Sequence, residues 1–159
     1  MLRKRSLVIL IPVLAIIGAI ACAFASFNIA ALPQPGRAEI WIASHLREWY
    51  VSRGAARVTA KPPPHDTSAV SAGDGTYGMA CAFCHGKDGG GPTNIGKAMH
   101  PRVEDLRSRR VQKMSDREMF WVVKNGIRFT GMPGFGHSLS DDEIWQVTYY
   151  VRTLGKPSS

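Results

Sequence analysis

The sequence predicts an all-α protein from three observations. An uncharged run over residues 6–32, mostly Leu, Ile, Val, Ala and Phe, follows Arg3-Lys4-Arg5. Residues 37–57 set Ile40, Trp41, Leu46, Trp49 and Tyr50 among charged residues, several of them three or four apart, the period of a one-faced helix. Two capping boxes, Ser115 with Glu118 and Ser140 with Glu143, open further segments with apolar residues at the same period. In such a box the two side chains satisfy backbone N–H groups that the first helical turn leaves without acceptors. A length of 159 residues suits one soluble domain with appendages. The expected division is an anchor over residues 1–32, an amphipathic helix and Pro-rich linker over 33–69, and one domain over 70–159.

A transmembrane helix needs about 20 apolar residues to cross roughly 30 Å of hydrocarbon, and the run over 6–32 exceeds that length. The basic cluster before it should stay cytoplasmic, which places the rest of the chain outside. Pro12 near the start bends the helix only mildly. Two forms of cleavage compete with a retained anchor. Ala23-Phe24-Ala25 before Ser26 has the small-residue pattern of a signal-peptide cut, and Ala19-Ile20-Ala21-Cys22 loosely matches a lipoprotein box that would lipidate Cys22. Against both, the apolar run continues to Leu32, so a retained anchor is expected.

The helix over 37–57 follows Pro33-Gln34-Pro35-Gly36. Its Trp and Tyr residues favour a membrane interface, so it either lies on lipid headgroups, packs on its own domain, or docks a membrane-protein partner. His45 on it is expected to face solvent. Residues 61–68, with three consecutive prolines, form a stiff linker that lets the following domain stand off. His65 within it has no expected role.

The chemistry concentrates in Cys81-Ala82-Phe83-Cys84-His85. Two cysteines two residues apart and followed at once by histidine read as an attachment site for c-type haem. One short turn lets both thiols reach the two vinyl groups of one porphyrin while the imidazole binds the iron from below. A zinc site would need two more Cys or His ligands, and the third cysteine, Cys22, lies in the apolar run. A thioredoxin-like redox pair would sit near a βαβ pattern, and Gly86-Lys87-Asp88-Gly89-Gly90-Gly91-Pro92 follows instead. For the other axial position, Met132 in the Gly/Pro-rich loop 130–136 is the candidate, giving the His/Met ligation that raises a haem potential. His100 and His137 are the rival ligands. Phe129 and Phe135 bracket Met132 as apolar walls. Trp121 either hydrogen-bonds a haem propionate or packs.

The Cys-x-x-Cys-His motif, the Gly131-Met132-Pro133-Gly134-Phe135-Gly136 loop and the aromatic C-terminal helix together resemble a membrane-anchored monohaem class I cytochrome c, over residues 69–156. Residues 27–31 resemble the membrane exit of single-span bacterial cytochromes of that kind. The resemblance implies a class I cytochrome c haem domain, preceded by one transmembrane helix and a Pro-rich linker. It also implies one covalent haem c with its iron between His85 and Met132. The helix over 71–82 should cross the C-terminal helix with Gly73 and Tyr77 against Tyr150, and the Pro92 carbonyl should accept a hydrogen bond from the imidazole. Covalent attachment of this kind is completed outside the bacterial inner membrane, so the haem domain is expected on the periplasmic side. The implied activity is not enzymatic. It is one-electron carriage between partners, respiratory or photosynthetic membrane complexes, with the N-terminal helix in lipid. A permanent subunit of a larger membrane oxidoreductase is the alternative, followed by a catalytic or sensor haem if the glycines around Met132 make that ligand labile.

Lys and Arg outnumber Asp and Glu by 20 to 12. The excess is spread along the chain, which argues against a nucleic-acid partner and suits a mildly basic face that steers an acidic protein. Arg107, Arg109, Arg110 and Lys113 form a basic cluster, either a solvated surface or a contact for a propionate or redox partner. No Ser/His/Asp set, paired carboxylates or nucleotide loop points to a small-molecule substrate.

Overall fold

The computed structural model describes residues 2–26, 33, 35–91 and 93–155. Two compact units result, Met1–Ala30 and Ala31–Ser159. In the first, α1 (Leu2–Ala25) runs unbroken through Pro12. Among the described residues no helix is long and apolar enough to cross a membrane. The expected span continued to residue 32, and residues 27–32, including its membrane exit, lie outside the described residues.

The second unit is all-helical among its described residues. It comprises α2 (Arg37–Ala55), α3 (Thr67–Ala80), α4 (Ala82–His85), α5 (Asn94–Ala98), α6 (Arg109–Gln112), α7 (Asp116–Asn125) and α8 (Asp141–Leu154). The frame is the crossing of α3 on α8. Gly73 is buried at that crossing, and a methyl group there would overlap the Gln146 carbonyl and crowd Tyr150. Tyr77, one turn on and 1% exposed, meets Tyr150 with ring centroids 5.1 Å apart. Both contacts are the expected ones. The helix starts earlier than expected because Asp66 caps it, accepting from the Ala69 N–H at 2.8 Å.

α7 and α8 start with the two capping boxes read from the sequence. Between them Phe120 stacks on Trp145 at 4.5 Å, and Ile144 and Tyr149 complete one buried cluster with Ala69. A second cluster joins Tyr77, Val111, Met119, Val147 and Val151. α7 stops at Gly126, whose φ of 68° no β-branched residue takes without strain.

Two segments differ from expectation. The Pro-rich stretch is not a stand-off linker: the Tyr149 hydroxyl donates to the Pro63 carbonyl at 2.9 Å, and His65 stacks on the Tyr149 ring at 4.2 Å. With Val58 and Ala60 against the core, residues 58–65 are a strap bound along α8. The amphipathic helix packs on its own domain, burying Val51 and Ala55 and seating Gly54 against the Trp121 ring on α7. Ile42, Leu46 and Trp49 remain more than half exposed on the side away from Val51.

Candidate cofactor site

A cavity of about 620 Å³ opens among α2, α3, α7, α8 and the loops that follow α5 and α7. Cys81, Cys84 and His85 line it, and so does Met132. Apolar side chains from the core clusters, among them Val111, Met119, Val123, Val147 and Val151, make up much of the wall.

α4 is a single turn, and its brevity puts the side chains of Cys81, Cys84 and His85 together. Cys81 ends α3, where its backbone N–H still bonds the Tyr77 carbonyl at 2.9 Å. The Cys84 and His85 N–H groups then turn back onto the Cys81 carbonyl. Gly86, at φ 80°, ends the turn, and the Tyr77 hydroxyl donates to its carbonyl at 2.7 Å. Burial, with the neighbouring Cys81, raises the Tyr77 pKa, so Tyr77 stays a phenol and keeps that donor. The Gly-rich loop folds back on the turn: the Thr93 hydroxyl donates to the Phe83 carbonyl and its N–H to that of Cys84.

The His85 imidazole is ordered by one bond, Nδ1 to the Glu104 carbonyl at 3.0 Å. A carbonyl only accepts, so Nδ1 carries the proton and the Nε2 lone pair is free for a metal. Burial lowers the His85 pKa, and the Glu104 carbonyl opposes that shift, so the ring is held neutral at physiological pH. Burial, with Cys84 beside it, pushes the Cys81 thiol up to about 11, which keeps it a thiol rather than a redox-active thiolate. Neither Cys81 nor Cys84 is in a disulfide.

Met132 sits on the loop after α7. Its N–H donates to the Thr130 hydroxyl at 3.1 Å, and its carbonyl accepts from the Ile127 N–H at 3.2 Å. Gly126 and Gly134 allow this loop to lie against the end of α7, since a Cβ at either would strike backbone atoms. The loop is therefore fixed at both ends of Met132.

Several expectations from the sequence are corrected at this site. Neither His100 nor His137 lines the cavity; His100 Nε2 instead lies 3.5 Å from Glu39. The imidazole's partner is Glu104, while Pro92 lies outside the described residues. Trp121 does not reach the cavity. Its ring packs on Gly54 and meets Tyr50 edge-on at 6.0 Å, beside a separate cleft of about 380 Å³. Phe135 is not a wall either: its N–H ties the loop to the Val123 carbonyl. Phe129 is 92% exposed. Within the basic cluster, Arg107 is engaged by Asp88, Asp105 and the Gly90 carbonyl and so pins the Gly-rich loop. Arg110 and Lys113 do line the cavity. Residues that sequence reasoning missed are Glu104, Met99, which packs on Gly131, and Arg47 and Val51 of α2. No local motif marks any of them.

The cavity suits the group that the cysteine motif implies. It is an open, largely apolar cavity, with two unbridged thiols beside an imidazole that keeps a free lone pair. A thioether shares the wall, and arginines at the rim could meet carboxylates.

Residues 68–151 match the model of a family described as cytochrome C oxidase, cbb3-type, subunit III. Among curated proteins, the chain is 32% identical over 103 residues to quinohemoprotein alcohol dehydrogenase ADH IIB of Pseudomonas putida, covering 64% of this chain and 13% of that protein. Among solved structures, a chain of the reducing HAO-like protein complex of Kuenenia stuttgartiensis superposes with a TM-score of 0.55 at 24% identity, over 61% of this chain and 48% of that one. Cytochrome CL of Methylophaga aminisulfidivorans MPT gives a TM-score of 0.43 at 21% identity, over 80% and 71%. The chain thus spans a small fraction of the curated relative and about half of the first structure.

Proposed function

Because the chain belongs to the family described as cytochrome C oxidase, cbb3-type, subunit III, a c-type cytochrome family with covalent haem c, we propose that it is a membrane-tethered periplasmic carrier of single electrons between membrane-complex partners. The observation that carries this is the convergence of Cys81, Cys84, His85 and Met132 on one cavity. Bound haem supplies a one-electron ferric/ferrous couple. Cys81 and Cys84 would hold it through thioethers, and His85 and Met132 would be the protein ligands of its iron. Glu104 fixes the tautomer and plane of His85, which sets how strongly the imidazole donates. Met132 would serve as the second protein ligand and leave no open position for substrate. The apolar wall excludes water and so favours the less charged ferrous state.

Residues 1–32 tether the chain to the bacterial inner membrane, with the haem domain on the periplasmic side. The support is the basic cluster before a long uncharged run in the sequence. A second arrangement, a permanent subunit of a larger oxidoreductase, is favoured by the exposed Ile42, Leu46 and Trp49 on α2. One intact-mass measurement on protein purified from membranes tests the proposal. The expected mass is the full chain plus one porphyrin with iron. A mass without porphyrin sinks the electron-carrier proposal, and a mass lacking the N-terminal residues sinks the retained anchor.

A further inference from the structure

We propose, resting on the haem function above, that α2 is itself a haem-holding element: Arg47 donates to a haem propionate and Val51 closes the same edge to water. α2 lies N-terminal to residues 68–151, the part that matches the family. Arg47, Glu48, Val51 and Ser52 nevertheless line the cavity, and they form one helical face.

The orientation of α2 needs a cause. Burial of apolar surface alone would have turned Ile42, Leu46 and Trp49 inward, yet these are exposed while an arginine faces the cavity. The Arg47–Glu104 and Glu48–Arg110 contacts, at 3.5 and 3.7 Å, hold that face only loosely, and an anion bound within the cavity would add to them. Arg47 is free to meet it. Its Nη1 reaches Glu104 Oε1 only at 3.5 Å, and Arg110 already holds that oxygen at 2.9 Å and approaches Glu48 at 3.7 Å. Most of the five guanidinium N–H donors of Arg47 are therefore available, and that planar fork matches a carboxylate. The cavity's other anion, Glu118, is committed to the α7 cap.

The edge also fits. In protohaem the propionates lie across the ring from the vinyl groups, so they point away from the cysteines. α2 packs on α7, not on α4 where Cys84 sits. Arg47 is thus a positioning residue for the cofactor, placed beside the oxygen of the residue whose carbonyl holds His85.

The test uses the full-length holoprotein, with covalent haem first verified by mass. A cation near the haem favours the ferrous form, so Arg47→Ala should lower the potential. The ferrous-to-ferric ratio at fixed poise should fall roughly fivefold, the order expected for one charge within about 10 Å in a partly screened site. Arg47→Lys should retain the potential within about twofold in that ratio. Arg53→Ala removes the same charge from the same helix, where Arg53 lies over Trp49, and should leave the potential unchanged. Equal potentials for Arg47→Ala and Arg53→Ala would overturn the proposal. Should Arg47→Ala fail to mature, nuclear Overhauser contacts in the unaltered ferrous protein decide the matter. Cross-peaks from Arg47 and Val51 to the propionate methylenes are expected, and their absence rejects the role of α2. A chain without porphyrin instead rejects the parent function.

Discussion

Met132 and His85 both line the cavity but depend on different supports. His85 sits in one short turn beside its cysteines and leans on the Glu104 carbonyl. Met132 has only a loop, held by Thr130, Ile127 and the glycines at the end of α7. Met132→Ala should therefore leave covalent attachment intact while removing the thioether. The expected outcome is loss of the near-infrared sulfur-to-iron band and a fall in potential on the order of 0.1 V, within the ~0.8 V that axial ligands span. An unchanged spectrum and potential would mean that another side chain is the ligand, Met99 being the cavity thioether that packs on Gly131 beside Met132. At this scale the site was legible where chemistry is local. The cysteine pair, the adjacent histidine and the Gly/Pro-flanked methionine each announce themselves within a few residues. Glu104 did not, because it is 19 positions from His85 and acts through a backbone carbonyl that any residue possesses.

Among the elements, α3 and α8 depend on one close approach. Gly73→Ala would push a methyl group into the Gln146 carbonyl, a backbone atom that cannot turn aside. A cost of about 1–3 kcal/mol is expected from such overpacking, or roughly 5–15 °C in Tm. Gly75 in the same helix faces open space, so Gly75→Ala should raise Tm by the helix preference for alanine, about 1 kcal/mol. Thermal unfolding of both variants decides it, and shifts of the same sign would remove the crossing from its central place. These helices and their caps were readable because period and capping chemistry are written in the local sequence. The rotation of α7 was not. It carries apolar side chains on two sides, Phe120 toward Trp145 and Trp121 toward α2. Only the arrival of α2, from more than 60 residues earlier in the chain, decides which side meets the cavity. That is why the sequence leaves Trp121 either a propionate donor or a packing residue, and the structure has it packing on α2.

For the unit Ala31–Ser159 as a whole, the strap and α2 change what the domain is. The family match begins at residue 68, but Val58, Ala60, Pro63 and His65 pack on α8 or its neighbours, and Val51 helps close the cavity. Prolines in a row signal stiffness, and stiffness alone does not tell whether a segment spans a gap or lies along a surface. The deciding contacts come from Tyr149, more than 80 residues away.

Phe129 stands apart from all of this, 92% exposed and at φ 62° in the turn between α7 and Met132. A protease that cuts after aromatic residues should nick the folded chain there before the helical aromatics. The two pieces would then carry the cysteines and the methionine separately, joined through α8 where it packs on α3 and α7. The sulfur-to-iron band would consequently become a gauge of fragment association, surviving dilution while that packing holds and vanishing when it parts. If the band disappeared at the moment of scission, the loop and not the helix packing would be what keeps Met132 in place.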